Sequence, residues 1–208
     1  MQTLSQPTQQ ALATLNSSDA IRKPILDFST DVVYETLVQA YLLLVALDTN
    51  AIREGYEKDL MCMARWLTRP NKQGMILQGN VGTGKTTIAR AMWAVMRFHG
   101  APAKGCVASE LANIYKNDEK NAWWQLMNAS RLFIDDLGTE YTSTKNYGDE
   151  FSPILAIINR FHKDRKTLII TTNLSMQDIA QRYGERIADR LSEICNHWEL
   201  SNTQTYRR

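Results

Sequence analysis

Eight consecutive residues, Gly79-Asn80-Val81-Gly82-Thr83-Gly84-Lys85-Thr86, fit the spacing G-x-x-x-x-G-K-[ST]. This spacing suits one task, the holding of a row of phosphates. Glycines let the chain curl close around an anion, where a Cβ would clash and positive φ is needed. The backbone N–H groups then point inward, and the start of a following helix reinforces them. Lys85 supplies a cation for the outer phosphates, and Thr86 a hydroxyl for Mg²⁺. With Thr87 at the helix start, the run from Gly79 to Thr87 is the candidate nucleotide-binding segment, with ATP and Mg²⁺ as its ligands.

Three further groups could complete such a site. Leu132-Phe133-Ile134-Asp135-Asp136 reads as an apolar strand ending in acids, a means of holding Mg²⁺ through Asp135. Asp136 is placed to polarise an attacking water, and Glu140 is a nearby alternative. Thr171-Thr172-Asn173 ends another apolar run. Asn173 could touch a terminal phosphate or the water, or cap the next helix as a turn residue. In Gly184-Glu185-Arg186-Ile187-Ala188-Asp189-Arg190, Arg186 and Arg190 lie four apart on one helical face, and Arg182 extends the row. A planar guanidinium can bind two phosphate oxygens at once. On spacing alone the commoner outcome for such a face is to be solvated and paired with Asp189 and Glu193.

These groups must be carried by a framework. Asp31 to Leu47, apolar on most sides, predicts a buried helix. Asn50 then offers a cap, and Ile52, Tyr56, Leu60, Met63 and Leu67 mark one face of an amphipathic helix. Strands are predicted at Met75–Gln78, Cys106–Ala108, Arg131–Asp135, Thr167–Thr172 and His197–Leu200. Helices are predicted at Lys85–Phe98, from Ser109 to Tyr115, at Ala122–Met127 and Phe151–His162, from Ser175 to Tyr183, and at Glu185–Ile194. Alternating strands and helices imply a mostly parallel sheet of about five strands covered on both faces. Residues 1–68 form an N-terminal arm and helices, with residues 1–30 weakly periodic and loosely attached; residues 69–208 form the phosphate-binding domain.

With 24 Lys and Arg against 22 Asp and Glu, the net charge of +2 does not by itself indicate nucleic acid or a membrane. Cys62, Cys106 and Cys195 show no metal-binding spacing, and read as reduced thiols behaving as small apolar residues. The first residues lack the pattern of a signal peptide, and the longest apolar run, Ala40–Leu47, is too short to cross a bilayer. A soluble, cytoplasmic protein is expected.

The combined pattern resembles the AAA+ ATPases of the DnaC/IstB helicase-loader type. The resemblance rests on the phosphate loop, Ile134-Asp135-Asp136-Leu137-Gly138, Ile170-Thr171-Thr172-Asn173 and Tyr183-Gly184-Glu185-Arg186-Ile187-Ala188-Asp189-Arg190-Leu191, and covers about residues 70–208. It implies an AAA+ P-loop fold, here without the C-terminal helical lid. Asn173 falls at the sensor-1 position, which reads the terminal phosphate. Arg190 falls at the arginine finger that enters a neighbouring subunit's site, with Arg186 second. Arg207, in Thr205-Tyr206-Arg207, falls in the sensor-2 stretch that contacts ATP in the same chain. The implied partners are further copies of the chain, single-stranded DNA, and a replicative helicase or a transposase.

Residues 1–68 match no helicase-binding or zinc-binding domain. Lys116, Lys120, Trp123 and Trp124 could offer cations and stacking surfaces to DNA, although core tryptophans are the commoner outcome. A small-molecule kinase accounts for the phosphate loop but poorly for Asn173 and the arginines. A binding module switched by ATP with little turnover is the remaining alternative, since Asp136 stands where glutamate is commoner.

Overall fold

The computed structural model describes residues 23–48, 52, 54–117, 121–141, 144–146 and 149–200. Helix α1 (Thr30–Asp48) and helix α2 (Tyr56–Thr68) precede the sheet. Val33, Leu37, Tyr41 and Val45, each four residues from the last, form the buried stripe of α1. The expectation of a helix buried on most sides is therefore corrected, because Val32, Leu43 and Leu47 are exposed. Thr30–Leu47 is also long and apolar enough to span a membrane by length and composition, a longer span than the Ala40–Leu47 run. Here its buried stripe packs in one core with α2 and with α3 (Lys85–Phe98).

Helix α2 starts later than its periodicity predicts. Gly55, at φ 73°, turns the chain into it, and Ile52 is exposed ahead of it. Asn50, the expected cap, lies outside the described residues. The loosely attached arm is corrected for its last part: Ile25 and Leu26 are buried, and both donate backbone N–H bonds to Leu67 O, at 3.0 and 2.9 Å. Residues 1–22 lie outside the described range.

Five strands form one parallel sheet: β1 (Gly74–Gln78), β2 (Lys104–Val107), β3 (Arg131–Leu137), β6 (Thr167–Thr172) and β7 (Cys195–Glu199), in the order β2-β3-β6-β1-β7. An unpredicted antiparallel pair, β4 (Thr144–Asn146) and β5 (Asp149–Phe151), takes Phe151 out of the helix expected to begin there. That helix, α6, runs Pro153–Lys163, with proline at its first turn as its fixed φ favours. Between β2 and β3 lie α4 (Leu111–Asn117) and α5 (Ala122–Asn128). After β6 come α7 (Met176–Tyr183) and α8 (Glu185–Ile194).

Alternate side chains of a strand face opposite sides of a sheet. Met75, Leu77, Phe133 and Ile169 accordingly join α1, α2 and α3 in one core. Ile76, Leu132, Ile134, Leu168 and Ile170 join α6, α7 and α8 in the other. The N-terminal helices thus share a core with the phosphate-loop helix. Trp123 stands against Tyr115 and Phe151, but Trp124 is 63% exposed, which corrects the expectation of two core tryptophans. Burial pushes the Cys195 thiol up to about 12, in keeping with its role as a small core group; Cys62 and Cys106 are only partly buried.

Gly74 shows how tightly β1 is held. A Cβ there would lie 2.3 Å from Cys195 Sγ and 3.0 Å from Leu168 O, on the strands to either side. Gly74→Ala is therefore expected to destabilise the fold by about 1–3 kcal/mol, as overpacked cores do. A lowered midpoint in urea unfolding would show it, and an unchanged midpoint would mean that the strands can part to admit a methyl group.

Candidate functional site

The site forms where β1, β6 and β3 end side by side. In the chain β1 comes first and β6 last, but in space β6 lies between β1 and β3. The tip of β6 therefore falls between the phosphate loop and the acids. Open α/β sheets bind ligands at this carboxyl edge.

From β1 the chain enters the loop Gly79–Gly84. Gly82 and Gly84 take φ of 83° and 86°, where a side chain would be strained. Gly84 begins α3 with no side-chain cap. By helix geometry the first N–H groups, those of Lys85, Thr86 and Thr87, have no acceptor within the helix. They provide the partial positive charge that favours an anion at this point. Val81 is 58% exposed at the loop's crest, and Thr83 Oγ1 donates to Asn80 O at 2.9 Å and holds the curl.

Lys85 is 5% exposed. A buried ammonium must be met by acceptors. Nζ donates to Gly79 O and Asn80 O, both at 2.8 Å, and to Asn173 Oδ1 at 2.6 Å. Lysine only donates, so the amide oxygen of Asn173 must face it. The cap on α7 is Ser175, whose Oγ accepts from Asp178 N–H while the Asp178 carboxylate accepts from Ser175 N–H. Asn173 is thereby left to the loop, and the capping role weighed for it belongs to Ser175.

On the other side of β6, Thr86 Oγ1 donates to Asp135 Oδ1 at 3.0 Å, and Thr171 Oγ1 donates to the same oxygen at 2.6 Å. The backbone carries a bulge here. Ile134 pairs with Ile170 but Leu137 with Thr172, so three steps on β3 match two on β6. The extra residue re-aims the strand end, as bulges beside sites do. Asp136 sits in the bulge at φ 55°, a left-handed conformation that aspartate tolerates better than most residues.

Thr171 and Thr172 stabilise the bulge, a role that Asn173 overshadows in the sequence. Thr171 Oγ1 also accepts from Asp136 N–H at 2.8 Å. Thr172 Oγ1 donates to Leu137 O at 2.7 Å and accepts from Leu174 N–H at 3.0 Å. Both threonines are fully buried. Two adjacent hydroxyls at the end of a central strand were the available signal, since buried hydroxyls require partners.

The remaining candidates lie apart from this cluster. Glu140 is 4% exposed, with Oε2 accepting from Gly138 N–H at 2.9 Å and Oε1 from the Tyr183 hydroxyl. Its carboxylate is thus engaged away from a water-polarising role. Arg182 belongs to α7, and Gly184 breaks the helix after it, so the expected row of three arginines is corrected to a pair on α8. Arg186 is exposed, and Arg190 donates to Asn159 Oδ1 on α6. Glu193 bonds His162 and Arg165 instead of a neighbour on its own helix. Arg207 and Lys120 lie outside the described residues, and Lys116 is exposed.

The donor set fits Mg²⁺ with a nucleotide. A hydroxyl and a carboxylate at one point suit a hard ion that takes its other ligands from phosphates and water. Such a site needs no cluster of three acidic or imidazole ligands, and no such cluster occurs among the described residues.

The strand order, the cradle at the tip of β1 and the acids at the tip of β3 define a P-loop NTPase of AAA+ architecture, a nucleotide-binding class. The chain belongs to the Novel STAND NTPase 3 family, whose sequence model matches residues 65–207. It is also similar to the replicative helicase loader DnaC of Escherichia coli K12, at 25% identity over 144 residues, covering 66% of this chain and 57% of that protein. A crystal structure of the DnaC helicase loader superposes with a TM-score of 0.59 at 20% identity, covering 73% of this chain and 94% of the other. The replication initiator DnaA bound to AMPPCP and single-stranded DNA gives 0.52 at 19% identity, covering 72% and 48%. In sequence and fold the chain is DnaC-like.

Thr171 provides the test of this geometry. Thr171→Val keeps the shape but leaves Asp136 N–H without its acceptor and Asp135 without one donor. A loss of about 1–3 kcal/mol is expected in chemical denaturation. A variant as stable as the parent would remove the hydroxyl from its place in the bulge.

Proposed function

We propose that this protein is a Mg²⁺-dependent ATPase of the helicase-loader kind, active as an assembly in the cytoplasm. The observation that carries the proposal is the bond from Lys85 Nζ to Asn173 Oδ1, with Thr86 and Asp135 in contact on the other side of β6. These groups line one edge, at the start of a helix without a side-chain cap.

A phosphate entering the loop competes with Gly79 O, Asn80 O and Asn173 Oδ1 for the lysine. Asn173 would then be turned toward the terminal phosphate. Thr86 and Asp135 would hold Mg²⁺, which when bound neutralises charge on the phosphate oxygens. Asp136 would orient water for attack on the terminal phosphoryl group. Arg190, or Arg186, would reach the site of the next copy and stabilise the charge that spreads as the phosphoryl group transfers. A trans arginine of this kind accounts for about 10³–10⁵ in rate in related NTPases. Arg207 would contact ATP from its own chain.

Single-stranded DNA and a replicative helicase are the proposed partners, a transposase being the alternative of the IstB kind. The likeness to DnaC supports this reading; the chain spans 57% of that protein's length. Exposed Trp124 and Lys116 offer a stacking surface and a charge to a single strand. A kinase reading leaves the Lys85–Asn173 contact and the α8 arginines without a task.

Particle size with ATP, ADP or no nucleotide, each with and without a single-stranded oligonucleotide, tests assembly and DNA coupling together. Larger particles with ATP are expected, and ATPase activity per chain should rise with protein concentration. Arg190→Ala should abolish that rise while leaving ATP affinity within about twofold of the parent. If its activity still climbs with concentration, Arg186→Ala is the next variant, and the trans-arginine idea fails if both climb. Size and activity that ignore the oligonucleotide would count against DNA.

A further inference from the structure

The Glu140 carboxylate is buried within five residues of Asp135 and Asp136, and its bonds lead away from them. Oε2 accepts from Gly138 N–H at 2.9 Å, which closes the loop leaving β3. Oε1 accepts from the Tyr183 hydroxyl, and Arg182 Nε stands 4.0 Å from it. Arg182 also donates to Glu140 O and lays its guanidinium over the Tyr183 ring, 5.5 Å from the centroid. Two adjacent residues thus grip both the backbone and the side chain of Glu140. Both belong to the last turn of α7.

One residue, Gly184, separates that grip from α8. It adopts φ 93° and ψ 150°, and its carbonyl accepts the N–H groups of Ile187 and Ala188, the first bonds of the helix. The first turn of α8 is therefore tied to the end of α7, while its later turns are bonded to α6 and its end through Arg190 and Glu193. Arg186 and Arg190 ride on α8. The loop side is equally constrained: a Cβ on Gly138 would meet the Leu174 side chain at 2.7 Å, so the turn from β3 to Glu140 packs directly against the residue after Asn173. A buried carboxylate is costly unless its oxygens are met; here a hydroxyl and an amide donate to them, and a guanidinium lies 4.0 Å away. Burial, and next the Glu140 carboxylate, push the Tyr183 hydroxyl up, so it remains a donor.

We propose that Glu140 is a positioning residue that couples the acid loop of one chain to the arginine helix that the same chain presents to its neighbour. It acts through Tyr183 and Arg182 and touches neither nucleotide nor water. The inference rests on the trans-arginine reading given above. Its consequence is an asymmetry: a chain altered at Glu140 keeps a competent site of its own but presents its arginines badly.

Mixed assemblies test this. A chain with Arg186→Ala and Arg190→Ala can hydrolyse only with arginines from a neighbour. A chain with Asp136→Asn supplies arginines but no hydrolysis. Mixing the two should raise activity at least tenfold over either alone; without that rise the trans-arginine reading fails and the inference with it. Adding Glu140→Gln to the Asp136→Asn chain should abolish the rise. In the reverse mixture, Glu140→Gln chains surrounded by Asp136→Asn chains should hydrolyse with KM within about twofold and kcat within about threefold of the parent in the same mixture. If the doubly altered donor still gives the full rise, Glu140 has no part in presenting the arginines. If the reverse mixture is also inactive, Glu140 serves its own site and the inference is overturned. Tyr183→Phe, which removes a single oxygen, carries the same comparison if Glu140→Gln does not fold.

Discussion

A buried ammonium must be surrounded by acceptors, and Lys85 finds them where the tips of β1 and β6 meet. Two of its acceptors are carbonyls of the loop it follows, and the third comes from a residue 88 positions further along the chain. This arrangement requires β6 beside β1. It also fixes Asn173 at the edge, and through the short link to Ser175 it sets where α7 begins. The order of strands and the chemistry of the loop are therefore one constraint seen from two sides.

The second half of the site depends on a defect in regular structure. A straight β3 would have continued its pairing with β6 and sent alternate side chains above and below the sheet. The extra residue between Ile134 and Leu137 interrupts that alternation and leaves Asp136 at positive φ. The hydroxyls of Thr171 and Thr172 satisfy backbone groups that the bulge would otherwise leave without partners. The end of β6 and the residue after it thus supply three neighbouring polar groups with different tasks: Thr171 and Thr172 hold the strand end that bears the acids, and Asn173 meets the lysine.

The parts of this molecule that were legible in the sequence are those governed by local rules. Glycine spacing marked the loop, short apolar runs marked the strands, and Ser175 marked a helix start. The parallel sheet of five strands followed from their alternation with helices. Less visible were features set by partners distant in the chain. No local pattern distinguishes Glu140, bound to Tyr183, from an acid that faces water. Arg182 continues the row of arginines by spacing, but the break at Gly184 that the helix pattern already marks puts it on a different helix from Arg186 and Arg190. Trp124 looked like core by residue type, yet the helix carrying it turns that side chain outward. Likewise α1 is apolar on most sides in sequence, and only its packing shows which stripe is buried.

The sharing of one apolar core by α1, α2 and α3 bears on modularity. The region matched by the family model begins at residue 65, inside α2, and takes in α3 but none of α1. Met92, Val95 and Met96, on the back of the phosphate-loop helix, would lose much of their cover if the chain were cut at that point. The leading helices therefore behave as a lining sewn into the garment, not as a detachable hood. A graft of this region onto another leader would have to bring a matching set of apolar side chains, or the back of the phosphate-loop helix would face water.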